Sequence, residues 1–303
     1  KVRNIISDLL SSNGFSEIMN NSLTKESHTN LISDLDESQN VKILNPLSQD
    51  LNVMRQSMLF SGLENISYNI NRKNQDLKFY EFGKTYHKVE DENQEREHLM
   101  LLLTGKVNSE TWNSNKDKTD FFVMKEKVEH ILYRLGLNTW DSSEGSGWGR
   151  EYTLSYSCED KRLVCFGKVT KDLCSKFGVK SDVYMADFNW DLILQLVVNT
   201  KIKYSEVSKF PSVKRDLSLL IDNKVSFKEL LTIAKDTEKN ILKSVSLFDV
   251  YEGDKLPEGK KSYALSFILE DKTKTLTDKY IDKVMSKLIS SYENKVGAEV
   301  RSK

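Results

Sequence analysis

The sequence has 303 residues, of which 38% are hydrophobic and 30% are charged, and its formal net charge is zero. This composition is typical of a globular chain long enough for two domains, and it excludes a disordered tail. No apolar run approaches the roughly 20 residues of a membrane helix, so we expect no role in a membrane.

The chain opens on a predicted amphipathic helix in which Val2, Ile5, Ile6, Leu9 and Leu10 recur at spacings of three and four. Because there is no initial Met and the helix begins at once, we expect a fragment of a longer protein without a signal peptide, although removal of a short leader would produce the same start. Further patterns predict helices at 58–71, 120–135 and 171–177, and strands at 15–23, 41–48, 78–87, 98–104, 152–158, 162–169 and 183–190. The polar segments 24–39, 90–97 and 138–149 are predicted to be loops.

A linker is predicted at 200–211, and after it the pattern becomes clearer. Strands are predicted at 216–221, 245–251, 262–269 and 298–301. One helix follows the capping box that Ser226 begins and Glu229 completes, and a second follows Thr277 and Asp278. The order βαββαβ is that of a ferredoxin-like domain. We therefore expect an α+β chain with one domain at 1–203 and a second at 204–303.

In this topology both helices cover one face of the sheet and leave the other face open. Leucines 217, 219, 265 and 269 are predicted to point inward with Phe248, Val250 and Phe267, and the opposite positions include the small or aromatic residues Ser218, Tyr251, Ala264 and Ser266. With Arg215, Lys260 and Lys261 at the rim, such a face suits single-stranded RNA, whose bases can stack and form hydrogen bonds there. The same fold also carries metal-binding, regulatory and acylphosphatase-like functions, which the pattern leaves open.

The charges, cysteines and histidines indicate what kind of partner, compartment and site to expect. From residue 209 onward there are 19 Lys and Arg against 15 Asp and Glu, and the first 208 residues have 26 against 30. A basic C-terminal part weakly favours nucleic acid as its partner. The three cysteines, Cys158, Cys165 and Cys174, form no CxxC pair, which indicates a reducing, cytoplasmic setting without disulfides. The four histidines lack metal-ligand spacing, so we predict no metal site.

Several short blocks resemble the phenylalanyl-tRNA synthetase β chains. In the second domain they are SKFPSVKRDLSL at 208–219, LFDVYEG at 247–253, LPEGKKS at 256–262 and TLTD at 275–278. In the first domain they are NPLS at 45–48, MRQSML at 54–59, FYEFGK at 79–84, GKV at 167–169 and the segment 205–211. The blocks occur in the family's order and cover both domains, which makes the resemblance specific.

The resemblance implies a class II synthetase-like antiparallel sheet with flanking helices, followed by an anticodon-binding domain. It implies that the second domain packs its sheet against the anticodon stem-loop of the phenylalanine tRNA. It also implies an α subunit as partner in an α2β2 heterotetramer. That subunit would catalyse the ATP-dependent attachment of phenylalanine, with ATP and magnesium as cofactors of the whole enzyme and none in this part. The family's N-terminal RNA-binding, editing and magnesium-liganding domains have no counterpart in these residues.

The first domain is expected to be catalytically silent. A class II site needs an arginine for the ATP α-phosphate and another on a Gly-rich strand and helix for the γ-phosphate. The Gly-rich motif that would carry the γ-phosphate arginine is missing from the sequence. The run Glu144–Arg150 is rich in glycine and ends in arginine, but we interpret it as a loop and not as a phosphate site. Arg55 is a candidate for the interface with the α subunit, although it could instead hold Asp50 or a helix end.

Two other functions remain open at this point. A free-standing class II synthetase is disfavoured by the missing motif. A synthetase paralogue that acts as a scaffold or as a regulatory RNA-binding protein is compatible with the same residues.

Overall fold

A computed structural model describes residues 1–108, 111–112, 117–200, 204, 206–253 and 256–301. The chain divides into two compact units, Lys1–Ile202 and Lys203–Lys303. Part of the predicted linker, residues 201–203 and 205, lies outside the described residues. Each unit has a hydrophobic core of its own.

The first unit is built on a seven-stranded sheet in the order β1-β4-β5-β9-β8-β7-β6, in which β1 and β4 are parallel and all other neighbours are antiparallel. Its strands are β1 Ser16–Glu17, β4 Leu77–Val89, β5 Glu92–Thr104, β6 Asp141–Gly147, β7 Arg150–Cys158, β8 Lys161–Val169 and β9 Val183–Asn189, and β2 Leu23–Thr24 pairs separately with β3 Val53–Met54. Its helices are α1 Val2–Ser12, α2 Leu59–Ile70, α3 Phe121–Arg134, α4 Lys171–Lys176 and α5 Trp190–Asn199.

The centre of this sheet is buried on both faces. Residues 99–103 of β5 are all at most 1% exposed. Leu99, Leu101 and Leu103 pack with residues of α1, α3 and α5, whereas Met100 and Leu102 pack with residues of α2 and α4. Successive side chains of a strand point to opposite faces, so an uninterrupted apolar run is what a strand between two helical layers requires.

The second unit has the predicted βαββαβ order. It consists of β10 Val213–Asp222, α6 Phe227–Thr237, β11 Leu242–Tyr251, β12 Lys260–Leu269, α7 Asp278–Val296 and β13 Glu299–Val300. The strands lie in the order β11-β12-β10-β13 and are antiparallel. The Ser226 hydroxyl accepts the first-turn N–H of Glu229 at 3.2 Å, as the capping box predicts.

The structure corrects four predicted segments. Residues 15–23 contain only the two-residue β1 and the start of β2, and residues 41–48 contain only a bridge from Lys42 to Val53. The loop predicted at 138–149 is mostly the edge strand β6, and the loop predicted at 90–97 is mostly the start of β5. Both of these strands lack apolar alternation, because the small Gly and Ser side chains of β6 and the exposed polar side chains of β5 leave no buried face to mark.

Candidate nucleic-acid interface

The register of the second sheet decides which side chains lie on its open face. Opposite residues on neighbouring strands share a face. Ser218 of β10 lies opposite Ala264 of β12, and Leu219 lies opposite Tyr263. Leu219 belongs to the core beneath the helices, so Ser218 and Ala264 point the other way. The same parity places Lys214, Asp216, Leu220, Lys260, Ser262, Ser266 and Ile268 on the open face.

The edge strand β11 departs from simple alternation. Leu247 lies opposite Leu265 in the core, and Asp249 lies opposite Ala264 on the open face, with a register shift between them. Phe248 occupies this bulge and is 57% exposed, so the prediction that it points into the core is wrong. The bulge inserts one residue and thereby keeps Asp249 and Tyr251 on the open face, as predicted.

Phe248 and Lys214 form a bridge across the open face. The Lys214 Nζ lies 5.6 Å from the centroid of the Phe248 ring, a cation–π distance. The two residues belong to β10 and β11, which flank β12, so the contact passes over the central strand. Ser266 of β12 is only 3% exposed, and its Oγ has no hydrogen-bond partner among the described residues. Sequence reasoning missed both members of the bridge. The position of Lys214 could have been predicted, because it alternates with Ser218 on the same face of β10. The bulge at Phe248 could not, because nothing in the sequence pattern marks it.

The other predicted contact residues are accessible to different degrees. Ser218 and Ala264 are half-buried, and the Ser218 Oγ lies 3.4 Å from the Ser262 Oγ. Tyr251 is 39% exposed, and its ring rests against Gly253, where a Cβ would lie 2.9 Å from the phenol oxygen. The face therefore has a floor of small side chains with aromatic rings at the β11 edge.

Of the three cations predicted at the rim, only Lys260 lies on the open face. It is in register with Asp222, and its Nζ lies 3.8 Å from Glu299. Arg215 was predicted beside the open face, but it lies on the core face, opposite Phe267. It pairs at 3.3 Å with Asp278 at the start of α7. Lys261 also lies on the core face, opposite Ile221, and not at the rim of the open face as predicted. It is 7% exposed and donates to the Asn223 carbonyl at 2.9 Å.

Arg55 lies inside the first unit. Its side chain is 4% exposed, and it pairs at 2.9 Å with Glu81, which is 2% exposed. Its Nε also donates to the Lys84 carbonyl at 3.0 Å. The suggested partner Asp50 is wrong, since Asp50 pairs with Lys25. A role of Arg55 at a subunit interface stays a prediction, and the burial of the guanidinium limits such a role to holding the local backbone in place.

Gly83 leaves room for this pair. A Cβ at Gly83 would collide with the Arg55 guanidinium and with the thioether of Met58. The FYEFGK block thus carries both the acidic partner of Arg55 and the space in which the guanidinium fits.

Membrane and metal sites are not found in the described part of the chain. None of its helices is long and apolar enough to span a bilayer. Over the same residues, no three His, Cys, Asp or Glu side chains are grouped so that they could hold a metal ion. The three cysteines are free thiols, and burial raises the pKa of the Cys174 thiol to about 11.

Two family models match the chain. Residues 1–190 match the model described as the phenylalanyl tRNA synthetase beta chain CLM domain, and residues 208–301 match the ferredoxin-fold anticodon binding domain. Curated relatives bear the name phenylalanine–tRNA ligase beta subunit. The protein of Bacteroides fragilis is 46% identical over 99% of this chain, that of Porphyromonas gingivalis 38% and that of Clostridium acetobutylicum 33%. The chain spans 38% of the length of each.

Solved structures extend the likeness to the fold. A crystal structure of pyrrolysyl-tRNA synthetase from Desulfitobacterium hafniense superposes with a TM-score of 0.50 at 14% identity, over 66% of this chain and 69% of that one. A second structure, of the PylSc protein from the same organism, gives 0.51 at 16% identity over 66% and 68%. At such identities the likeness concerns the fold alone, which is synthetase-like.

Proposed function

Because this chain belongs to the family of phenylalanyl-tRNA synthetase β chains, we propose that it serves in a phenylalanine–tRNA ligase and binds the anticodon stem-loop of the phenylalanine tRNA. The binding surface is the open face of β10, β11 and β12. An α subunit catalyses the ATP-dependent attachment of phenylalanine, and two copies of each subunit form a cytoplasmic heterotetramer. ATP and magnesium belong to the whole enzyme, and no catalytic residue is assigned to this chain.

The observation that supports the RNA-binding proposal is the composition of the open face. Ser218, Ala264 and Ser266 are small, so nucleotide bases can approach the strands closely. The rings of Phe248 and Tyr251 offer surfaces on which bases can stack, and stacking contributes about 1–3 kcal/mol per base. Lys214 and Lys260 provide cations for phosphates. Since these contacts are few, binding by this unit is weak and sensitive to salt.

The test is a charge placed at the centre of the face. Ala264→Glu should weaken binding of the phenylalanine tRNA by about 1–3 kcal/mol, because the carboxylate repels phosphates and blocks a base. Ser286→Glu adds the same charge on the exposed side of α7 and should leave the affinity unchanged. Titration of both variants into labelled tRNA by fluorescence anisotropy measures the difference, and thermal melts verify that each is folded. Equal affinities for the two variants would refute the assignment of the face.

The first unit is proposed to contribute to assembly with the α subunit. Leu44 and Leu47 are 93% and 103% exposed, in the segment between the Lys42 bridge and β3. Met19 is 94% exposed in the segment that leads to β2. Leu44 and Leu47 lie in one short segment, and exposed apolar side chains that are grouped are typical of surfaces that a partner covers.

A further inference from the structure

A cavity of about 600 Å³ opens in the first unit, among elements that the proposed function does not use. Its walls come from the start of α2, from β4 and β5, from the β7–β8 region and from the junction of β9 with α5. A volume of this size lies within the range of small-molecule sites, about 300–1,000 Å³.

The cavity contains a buried cation that makes no direct ion pair with any carboxylate of the described residues. Arg150 lines it and is 5% exposed. Its Nη1 lies 3.3 Å from the Cys165 Sγ and its Nη2 lies 3.6 Å from the Met185 Sδ. Sulfur is a weak acceptor, and the Arg150 Nε has no acceptor at all among the described residues. A guanidinium withdrawn from water in this way is costly unless an anion joins it.

The carboxylates of the cavity are already engaged. Asp187 accepts from the Nδ1 of His98 at 2.8 Å, and Asp191 accepts the backbone N–H of Glu97 at 2.8 Å. Burial by itself would lower the pKa of His98, but the Asp187 carboxylate raises it above its ordinary value. Burial alone would raise the pKa of Asp187, but His98, Arg150 and Arg162 together hold it below its ordinary value. Its direct contact is with His98, and it makes no direct ion pair with Arg150.

A hydrogen-bonded relay continues from this pair to a neutral histidine. The Thr85 Oγ1 lies 2.9 Å from the His98 Nε2 and 3.1 Å from the His87 Nε2. A protonated His98 donates to this hydroxyl, whose own hydrogen is then free to donate to an unprotonated His87 nitrogen. Burial lowers the pKa of His87 to about 4, and the nearby Arg96 and His98 charges act in the same direction. The hydrogen bonds of this relay join Asp187, His98, Thr85 and His87, and none of them involves Arg150.

The remaining lining gives the cavity a positive excess. Arg96, Lys161 and Arg162 are exposed at its edge and join Arg150, which makes four cations against the two carboxylates Asp187 and Asp191. The Arg162 guanidinium carbon lies 5.1 Å from the centroid of the Trp148 ring, which holds it beside the opening. The excess is two without any charge on His98, and a protonated His98 adds to it, so the lining favours a dianion over a monoanion.

We propose that this cavity binds a small molecule carrying a phosphate monoester, with Arg150 at the inner end of the phosphate site and Arg96 and Arg162 at its edge. Two or three guanidinium groups can hold the oxygens of a phosphate in paired hydrogen bonds, a geometry that a single carboxylate cannot use as fully. The volume admits a mononucleotide or a sugar phosphate. This site lies within the first unit and is independent of the open sheet face of the second.

The direct test is calorimetric titration of the whole chain with AMP, glucose 6-phosphate, inorganic phosphate and adenosine. The phosphate-bearing ligands should bind and adenosine should not. Stronger binding of AMP than of inorganic phosphate and glucose 6-phosphate identifies a nucleotide site, and the reverse preference identifies a sugar phosphate site. Binding of none of the three phosphates, or equal binding of AMP and adenosine, would overturn the proposal.

Variants locate the binding in the cavity. Arg96→Gln and Arg162→Gln change exposed side chains, and each should weaken phosphate binding about tenfold by removal of a charge-assisted hydrogen bond. Arg134→Gln removes an equally exposed arginine on α3, outside the cavity, and should bind as the parent does. Arg150→Met should abolish binding. If this variant does not fold, Arg96→Gln and Arg162→Gln still test whether the ligand binds in the cavity. Unchanged affinity in both edge variants would contradict the site, whereas the Ala264→Glu variant should bind the phosphate ligands normally.

Discussion

At the scale of single residues, the first unit contains ion pairs of two kinds. The Arg55–Glu81 pair is almost fully buried, and Glu81 also accepts from the Asn20 side chain at 2.7 Å. The Lys84–Glu95 pair is exposed on the β4–β5 hairpin. A buried charge that loses its partner cannot be solvated, whereas an exposed one can. The two pairs should therefore respond very differently to the same chemical change.

Glu81→Gln should lower the free energy of unfolding by roughly 3–5 kcal/mol, because it leaves the Arg55 guanidinium buried without a counter-charge. Glu95→Gln makes the same change on the surface and should have no measurable effect. Urea denaturation followed by circular dichroism compares the two. Similar small losses in both variants would mean that Arg55 reaches water more easily than its burial indicates.

His87 should make the first unit sensitive to acid. Its pKa is about 4 in the folded chain because burial disfavours the imidazolium, against 6.5 as the ordinary value. The unfolded chain therefore binds a proton between about pH 6.5 and 4 that the folded chain does not, and stability falls as the pH falls through this window. The loss should be roughly 2–3 kcal/mol. The raised pKa of His98 acts above pH 6.5 and does not oppose it there.

The His87→Gln variant should lose less stability than the parent between pH 7 and pH 4.5, since glutamine can accept from Thr85 without titrating. Urea midpoints at the two pH values measure this, with His130→Gln as a control outside the cavity. If the variant and the parent have the same pH dependence, His87 is protonated in the folded chain as readily as in the unfolded one.

At the scale of elements, sequence patterns predicted several elements with one buried face, such as β10 and α3, but they gave no prediction for α5, whose Trp190, Leu192 and Ile193 are buried. The alternation of Leu217, Leu219 and Ile221 predicted β10, and the same parity already assigned Arg215 to the core side, a consequence that the sequence analysis overlooked. The edge strand β6 and the first residues of β5 were not predicted from the sequence, because their side chains are mostly exposed. Arg150 could not be recognised as a cavity residue either, since its burial depends on Cys165 and Met185, which are distant in sequence.

The bulge in β11 gives a prediction of its own. Phe248→Ala should weaken binding of the phenylalanine tRNA by about 1–3 kcal/mol, because the ring is lost as a stacking surface. The side chain is 57% exposed, so the melting temperature should change little. Tyr280→Ala removes a 38% exposed ring from α7, on the helical side, and serves as the matched control. A larger effect on tRNA affinity at Tyr280 than at Phe248 would mean that the RNA binds the helical side of the unit and not the open face of the sheet.

At the scale of the whole molecule, the two units divide the proposed tasks. The second unit has its core between one sheet face and two helices, and its other face remains for RNA. The first unit is covered by helices on both sheet faces, so its sheet offers no open face like that of the second unit, whereas the segment that carries Leu44 and Leu47 is exposed. The proposed assembly surface is therefore sought in a loop and not on a sheet.

The double variant Leu44→Ser and Leu47→Ser should reduce co-purification with the α subunit while the stability of the chain is retained, because both side chains are exposed in the isolated chain. The reduction should be about tenfold or more, as expected when two apolar anchors of an interface are removed. Lys73→Ser and Lys180→Ser, both at exposed positions, form the matched control. Undiminished association of the leucine variant would exclude this segment from the interface.

The β4–β5 hairpin has a consequence for the timing of events in the first unit. From the Tyr86–Glu95 pair outward, its two strands are paired only with each other in the described sheet, whereas residues 98–104 of β5 are also paired with β9. An isolated two-stranded ribbon is only marginally stable in water, so we expect the tip of this one to open more often than the rest of the sheet. Thr85, His87, Arg96 and His98 stand at the base of this ribbon and form one wall of the cavity. For the proposed ligand, we therefore expect the rates of entry and release to depend on how often this hairpin opens.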